Sequence, residues 1–168
     1  MTRPLDGPRL EPRGHAASAL VVLLHGYGAN GDDLIALGEG WRRWLPDAAF
    51  VAPNAPQTIP GMYGGLQWFA LTLRDPSEYW RGVEAARPAV DRFLDAELAR
   101  YRLPPSRLVL VGFSQGTMMA LHIGLRRPAA PACSASTGIR SSASPWIMRT
   151  GGRAFVSPRC SGPASRPE

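Results

Sequence analysis

The 168-residue sequence has no lysine, two cysteines and no run of 18 or more apolar residues. Without such a run, no transmembrane helix is expected. Residues 1–13 are broken by prolines and charges, and they lack the apolar segment of a signal peptide. The thiols of Cys133 and Cys160 are therefore expected to stay reduced. Together these absences predict a cytoplasmic protein without an integral membrane segment.

Every one of the 19 basic residues is arginine, and the net charge of +6 raises the possibility of a nucleic-acid partner. However, residues 129–168 contain 5 arginines and one acid, whereas residues 1–128 hold 14 arginines against 12 acids. The excess thus lies in a tail without the interleaved aromatics or helical stripe of a nucleic-acid site. We predict no nucleic-acid partner, and a basic binding protein that uses this tail is the alternative.

The remaining composition is that of a globular chain, long enough for one domain with a core, because 45% of the residues are hydrophobic and 19% are charged. Apolar runs and helical spacing alternate along the chain. The predicted strands lie at 19–24, 49–52 and 108–111, and the predicted helices begin at 32, 75 and 117. This order predicts an α/β fold with a parallel sheet.

The composition changes after Pro128. Of the 40 residues at 129–168, 29 are Ser, Ala, Pro, Gly or Arg. No strand of useful length and no helical period are visible there, which predicts a disordered or poorly packed tail. The predicted organisation is therefore an N-terminal arm at 1–17, a domain at 18–128 and a low-complexity tail at 129–168.

Residues 112–116, G-F-S-Q-G, lie between a predicted strand and a predicted helix. In this context the pattern is that of a nucleophile elbow, in which a serine sits on a sharp turn at the end of a strand. Glycines on either side let strand and helix approach closely, and the helix N-terminus offers N–H groups to an oxyanion. We predict Ser114 to be the nucleophile; the alternative is a glycine-rich turn in which Ser114 caps the helix.

The loop after the first predicted strand, L-H-G-Y-G at 24–28, is the expected source of a second oxyanion donor. The backbone N–H of Tyr27 is suited to this role, beside that of Gln115. His25 is then a structural, hydrogen-bonded histidine that shapes the loop. The loop also spells G-x-G-x-x-G, so a dinucleotide site is the alternative. That site needs an acid after the second strand, where the chain has Asn54.

Four segments in this order resemble the phospholipase/carboxylesterase family, which includes the acyl-protein thioesterases. They are L-H-G-Y-G at 24–28, A-P-N-A-P at 52–56, Q-W-F at 67–69 and G-F-S-Q-G at 112–116. The resemblance covers about residues 18–128. It implies a three-layer α/β-hydrolase fold with a parallel sheet, here incomplete at its C-terminal end. It also implies a cytosolic hydrolase of carboxylic esters, lysophospholipids or thioesters, which acts on small-molecule substrates without a cofactor or metal.

The same resemblance assigns roles to individual residues. It implies that Ser114 is the nucleophile and that Tyr27 and Gln115 form the oxyanion hole. It places Trp68 and Phe69 near the acyl pocket, although aromatic side chains at these positions could equally belong to the core.

The chain departs from the family pattern after the nucleophile, because the family mechanism needs an aspartate and then a histidine there. The sequence after Ser114 has one acid, Glu168, and one histidine, His122. Eight positions along a helix span roughly 12 Å, so His122 is expected to be structural and to point away from Ser114. His15 lies before the first predicted strand, with no reason to reach the site.

We therefore expect residues from about 129 onward to be a frameshifted segment or the result of a truncation. In either case strands that should follow the elbow helix are missing, and the central strand is left as an unpaired edge that favours aggregation. The expected result is poor solubility and near-background esterase activity, since oxyanion binding alone gives only about 10³–10⁴-fold catalysis over water. A non-catalytic pseudoenzyme that binds acyl ligands is the alternative.

Overall fold

The structure, a computed structural model, describes residues 4–14, 16–72 and 74–127, together with the backbone of two further strands. Strands and helices alternate along this part of the chain, as the sequence predicts. The strands are β1 (Arg9–Leu10), β2 (Ala19–Leu24), β3 (Ala48–Val51), β4 (Gln57–Thr58), β5 (Leu66–Gln67), β6 (Leu108–Phe113), β7 (Ala132–Ser136) and β8 (Ile147–Arg149). The helices are α1 (Gly31–Trp41), α2 (Ser77–Arg100) and α3 (Gln115–Gly124), and a 3-10 turn covers Pro105–Arg107.

Six strands form one sheet in the order β1-β3-β2-β6-β7-β8. The four central strands run parallel, and the short strands β1 and β8 pair antiparallel at the two edges. The chain leaves β2 on one side to form β3 and returns on its other side to form β6. Open α/β sheets bind their ligands at such a reversal, outside the carboxyl ends of the strands. The loops after Leu24 and Phe113 are therefore the expected location of a site.

The two faces of the sheet are covered by different helices. Leu20, Val22 and Leu24 of β2 pack in one apolar cluster with residues of α2 and α3. The alternate residues of β2 pack in a second cluster with Leu34 of α1. Because successive side chains of a strand point to opposite faces, β2 is buried on both sides. The predicted three-layer arrangement is confirmed.

The segment after Pro128 differs from the sequence-based expectation. No strand was expected there, but β7 pairs parallel with β6, and β8 pairs antiparallel with β7. The expectation that no strand forms after Pro128 was therefore wrong, and so was that of β6 as an unpaired edge. β7 reads A-C-S-A-S, which carries no hydrophobic alternation, whereas ladder pairing uses backbone groups alone. The predicted disorder of the other tail residues falls outside the described residues.

The N-terminal arm packs on the domain through a short strand that no sequence pattern predicts. β1 pairs with β3, so that Leu10 lies opposite Phe50. The guanidinium of Arg9 donates two hydrogen bonds to the carboxylate of Glu97, at 3.0 and 2.7 Å. Glu97 is buried in α2. The arm is thereby joined both to the sheet and to a helix on its face.

The helix predicted after Asp75 is confirmed as α2, and it continues through Pro88. Asp75 accepts a hydrogen bond from the backbone N–H of Ser77 at 2.9 Å, which satisfies one of the free donors at the start of the helix. Within the described ranges, none of the helices combines the length and apolar character that a bilayer crossing needs.

Candidate active site

Ser114 joins β6 to α3 with backbone angles φ 50° and ψ −115°. Residues other than glycine seldom adopt this left-handed region, because the Cβ atom crowds the backbone. Strain of this kind persists only where the surrounding structure imposes it, and it is concentrated at functional sites. The sequence-based expectation of a sharp strand-to-helix turn at Ser114 is confirmed. The backbone angles also differ from those of a normal N-cap, and the Ser114 side chain makes no capping hydrogen bond.

The glycines around Ser114 allow the tight approach of strand and helix. A Cβ atom on Gly116 would overlap the backbone carbonyl oxygen of Leu24 at the end of β2. A Cβ atom on Gly112 would overlap the backbone carbonyl of Gly116. The elbow helix α3 therefore begins in direct contact with the neighbouring strand, which brings the loop after β2 next to Ser114.

Two backbone N–H groups lie beside Ser114 without an acceptor among the described residues, those of Tyr27 and Gln115. Gln115 is the first residue of α3, where the helix dipole adds positive potential. Gly26 lies against the elbow, since a Cβ atom there would be 3.2 Å from the Cβ of Ser114. The next backbone N–H group in the chain is that of Tyr27, which therefore follows directly after the contact with Ser114. This arrangement is suited to binding an oxyanion that forms next to Ser114.

The loop that carries Tyr27 is held by the strand β5. The N–H of Gly28 donates to the carbonyl of Leu66 at 2.9 Å, and the N–H of Leu66 donates to the carbonyl of Ala29 at 3.0 Å. The dinucleotide alternative is not supported, because the Gly28 N–H that a pyrophosphate would need is occupied. Asn54, where an acid would be required, accepts from the N–H of Gly31 at 2.8 Å.

His25 has the structural role that the sequence predicts. It is fully buried, its Nδ1 lies 2.8 Å from the carbonyl oxygen of Gly26, and its Nε2 accepts from the N–H of Ala55 at 3.0 Å. These contacts assign the proton of the neutral ring to Nδ1. Burial lowers the pKa of His25 below its ordinary value of 6.5. Both ring nitrogens are thus engaged, and His25 cannot act as a base toward Ser114.

His122 is also structural. It is buried between α3 and α2, where its ring makes an edge contact with Trp80 at 5.2 Å between centroids. Its Nε2 lies 3.1 Å from a carboxylate oxygen of Glu84, although without hydrogen-bond geometry. Burial, and next the charge of Arg126, lower the pKa of His122. The expectation that His122 does not serve Ser114 agrees with these contacts, and His15 falls outside the described residues.

Trp68 and Phe69 are 1% and 3% exposed and belong to the cluster that packs under α2 and α3. Their burial is what core residues show, and their role in an acyl pocket stays a prediction. The backbone of both residues is bound by the side chain of Gln115, whose oxygen accepts from the N–H of Trp68 and whose amide donates to the carbonyl of Phe69, each at 2.8 Å. Sequence reasoning missed this contact, because the two segments are 46 or more residues apart.

Large, partly exposed side chains flank Ser114 and the loop that carries Tyr27. Tyr27 is 46% exposed and Phe113 is 42% exposed, on either side of Gly26 and Ser114. The sulfur of Met62 would lie 3.0 Å from a Cβ atom on Gly28. Because Tyr27 and Phe113 adjoin Gly26 and Ser114 in the chain and are partly exposed, they are suited to contact an apolar part of a ligand.

The sequence model of the family described as phospholipase/carboxylesterase matches residues 5–146, most of the chain. Among curated relatives, acyl-protein thioesterase 1 of Schizosaccharomyces pombe is 29% identical over 133 residues, which cover 76% of this chain and 58% of that protein.

Solved structures agree with this match. The structure of esterase PE8 has a TM-score of 0.71 at 50% identity and covers 75% of this chain and 60% of its own. A carboxylesterase of Bacillus cereus has a TM-score of 0.61 at 18% identity over 82% of this chain and 63% of its own, which is a likeness in fold alone. The predicted α/β-hydrolase fold is confirmed. The chain spans less than two thirds of the length of each of these three proteins.

Proposed function

We propose that this chain, which belongs to the phospholipase/carboxylesterase family, carries the nucleophile of an ester hydrolase at Ser114. The observation that supports the proposal most directly is the strained backbone of Ser114, beside the free N–H groups of Tyr27 and Gln115. A serine on such a turn projects toward the ends of the strands, where a substrate can reach it.

In the proposed reaction, the Oγ of Ser114 attacks the carbonyl carbon of an ester or thioester. The carbonyl oxygen becomes negative and accepts hydrogen bonds from the N–H groups of Tyr27 and Gln115. The alcohol or thiol leaves, and water then releases the acid from the acyl-serine intermediate. No cofactor or metal takes part in these steps.

The proton of the Ser114 hydroxyl needs a base, and neither of the two described histidines is placed to accept it. His25 uses both ring nitrogens in the loop, and His122 lies against Glu84. We therefore infer that the activity of this chain is impaired. Its substrates would be short acyl esters, lysophospholipids or acyl thioesters, with an acyl group near Trp68 and Phe69 as the family resemblance implies.

Hydrolysis of p-nitrophenyl butyrate by the wild type and by Ser114→Ala tests this proposal. We expect turnover close to background in both proteins, because oxyanion binding without a base gives about 10³–10⁴-fold over water at most. Strong turnover that Ser114→Ala abolishes would contradict the inferred impairment. Strong turnover that survives in Ser114→Ala would contradict the nucleophile itself.

The second candidate function is a pseudoenzyme that binds acyl ligands without catalysis, and the engagement of both described histidines away from Ser114 favours it. A fluorophosphonate probe separates the two candidates, because covalent labelling requires a reactive serine.

The cytoplasmic location also stays a prediction. The hypothesis that residues from about 129 onward are frameshifted is also still a prediction. It is wrong if no reading frame of the downstream nucleotide sequence encodes apolar strands, an aspartate and a late Gly-His.

A further inference from the structure

Three buried residues near the Ser114 elbow are linked in series by hydrogen bonds, each between the side chain of one residue and the backbone of the next. We term them the buried polar chain: Gln115, Trp68 and His25. The amide oxygen of Gln115 accepts from the backbone N–H of Trp68 at 2.8 Å. The indole Nε1–H of Trp68 donates to the backbone carbonyl of His25 at 2.8 Å. The imidazole of His25 then accepts from the N–H of Ala55 at 3.0 Å. All three side chains are at most 1% exposed.

The buried polar chain connects four segments of the chain near the proposed oxyanion hole. Gln115 begins the elbow helix, Trp68 follows β5, His25 precedes the Tyr27 loop, and Ala55 belongs to the segment after β3. The rings of His25 and Trp68 also contact each other, with 5.3 Å between centroids. A shift of any one of these loops would therefore stretch a hydrogen bond to the next.

The side chain of Gln115 would not need to be polar if its role were only to fill space in the core. A buried amide costs free energy unless its groups are paired, and an apolar side chain of similar length would occupy the same volume. The Gln115 amide is paired on both sides, since its nitrogen also donates to the carbonyl of Phe69 at 2.8 Å. Paired buried groups of this kind specify one geometry more strongly than apolar packing does.

We propose that the side chain of Gln115 is a positioning residue for the oxyanion hole. Through Trp68 and His25, it fixes the N–H of Tyr27 relative to the N–H of Gln115 itself. The catalytic part of this proposal rests on the proposed function, because the two N–H groups are the oxyanion donors of that site. Its structural content, a coupling between Gln115 and the loops at 25–30 and 53–57, can be measured without any activity.

Hydrogen–deuterium exchange followed by mass spectrometry measures this coupling in the full chain. Gln115→Glu keeps the shape and one acceptor but places a carboxylate oxygen against the carbonyl of Phe69. Gln115→Met keeps the length and removes both hydrogen bonds, and it serves if the charged variant does not fold. Met118→Ala, an exposed position on the same helix, is the matched control.

We expect segments 25–30 and 53–57 to exchange roughly 10-fold faster in the Gln115 variants, as loss of about two net hydrogen bonds permits. Segment 83–98 of α2 and the Met118→Ala protein should exchange at the wild-type rate. Unchanged exchange at 25–30 and 53–57 would overturn the proposal. Equal acceleration in all segments, α2 included, would also overturn it, because Gln115 would then contribute only to global stability.

Fluorophosphonate labelling of Ser114 gives a second measurement on the same proteins. Misplacement of a catalytic group by about 1 Å can reduce a rate by roughly 100-fold, so we expect labelling of the Gln115 variants to be 10- to 100-fold slower than that of the wild type. If the wild type is not labelled at all, the proposed function fails. The exchange rates of segments 25–30 and 53–57 still decide the positioning role in that case.

Discussion

Gly116 illustrates how one absent side-chain atom determines the geometry of the elbow. The backbone of α3 lies so close to the end of β2 that a Cβ atom on Gly116 would overlap the carbonyl oxygen of Leu24. Leu24 is fully buried in a central strand and paired with Gly112, so it has no room to move away. The same closeness brings the Tyr27 loop to Ser114, which links this glycine to the proposed chemistry.

Gly116→Ala is therefore expected to lower the free energy of unfolding by about 3 kcal/mol, at the upper end of overpacking effects. Urea denaturation measures the change. Gly40→Ala is the control, because a Cβ atom there meets no other atom within 4 Å and alanine favours a helix. It should increase stability by about 0.5–1 kcal/mol. Equal stability of the two variants would contradict the close contact between Gly116 and the carbonyl oxygen of Leu24.

The protonation state of His25 also affects the stability of the fold. Because burial lowers its pKa below 6.5, the folded protein binds this proton less readily than the unfolded chain does. The stabilisation from neutral His25 is complete above pH 6.5 and is lost as the pH falls below that value toward the lower folded pKa. Stability should therefore decrease between pH 8 and pH 5.5.

The buried His122 also has a lowered pKa and would contribute in the same pH range. The free energy of unfolding is therefore best measured in His122→Gln, where the decrease should persist. Asp75, with a pKa of about 2, does not titrate in this window. A pH-independent stability of His122→Gln between pH 8 and 5.5 would contradict the account of His25.

At the scale of elements, the N-terminal arm is attached by the ion pair between β1 and α2. Arg9 contacts Glu97 through two hydrogen bonds and also pairs with Asp6 at 2.7 Å. The Glu97 side chain is 5% exposed, so the pair is shielded from water on the helix side. The arm and the helix are thus expected to lose stability together when this contact is removed.

Glu97→Gln should reduce the free energy of unfolding by roughly 1.5–3 kcal/mol, the range for hydrogen bonds to charged groups. Thermal or urea unfolding provides the measurement. The matched control is Glu39→Gln in α1, which removes a more exposed pair with Arg42 at 3.4 Å and should change stability by roughly 0.5 kcal/mol or less. A Glu97→Gln protein as stable as this control would show that β1 does not depend on the pair.

The elements that the sequence predicted are those with a strong local signal. β2 and β6 are continuous apolar runs, and α2 has both apolar spacing and a D-P-S-E start typical of a helix N-terminus, so each could be located without tertiary information. β1 has two residues and β7 has five small ones, and neither carries a hydrophobic period. Their pairing depends on backbone groups of neighbouring strands, which no local pattern records.

In the candidate site, too, some features could be predicted from the sequence and others could not. Ser114 and the glycines on either side could be predicted, because the elbow imposes its residue types over five adjacent positions. The contact of Gln115 with Trp68 and Phe69 could not, since it joins segments that meet only after folding. The pocket role of Trp68 and Phe69 came from family resemblance alone, and it stays a prediction.

At the scale of the whole molecule, β7 covers the edge of β6 that would otherwise be open. A chain that ends at residue 131 would expose that edge with its unpaired backbone groups, which are a template for intermolecular pairing. We expect this shortened chain to aggregate at lower concentrations than the full chain does. Light scattering measures the difference, and equal scattering by the two chains would contradict the pairing of β6 with β7.

The central claim is that the sheet, the elbow and the oxyanion donors together single out Ser114 as the nucleophile. A time course with a fluorophosphonate probe, mapped by mass spectrometry of the peptides, tests it directly. We predict slow labelling of Ser114 that exceeds labelling of every other serine, because the N–H groups of Tyr27 and Gln115 stabilise the negative charge that develops on the phosphoryl oxygen while the serine oxygen displaces fluoride, even without a base. Ser114→Ala should remove the signal. Labelling spread evenly over exposed serines, or none at Ser114, would contradict the claim.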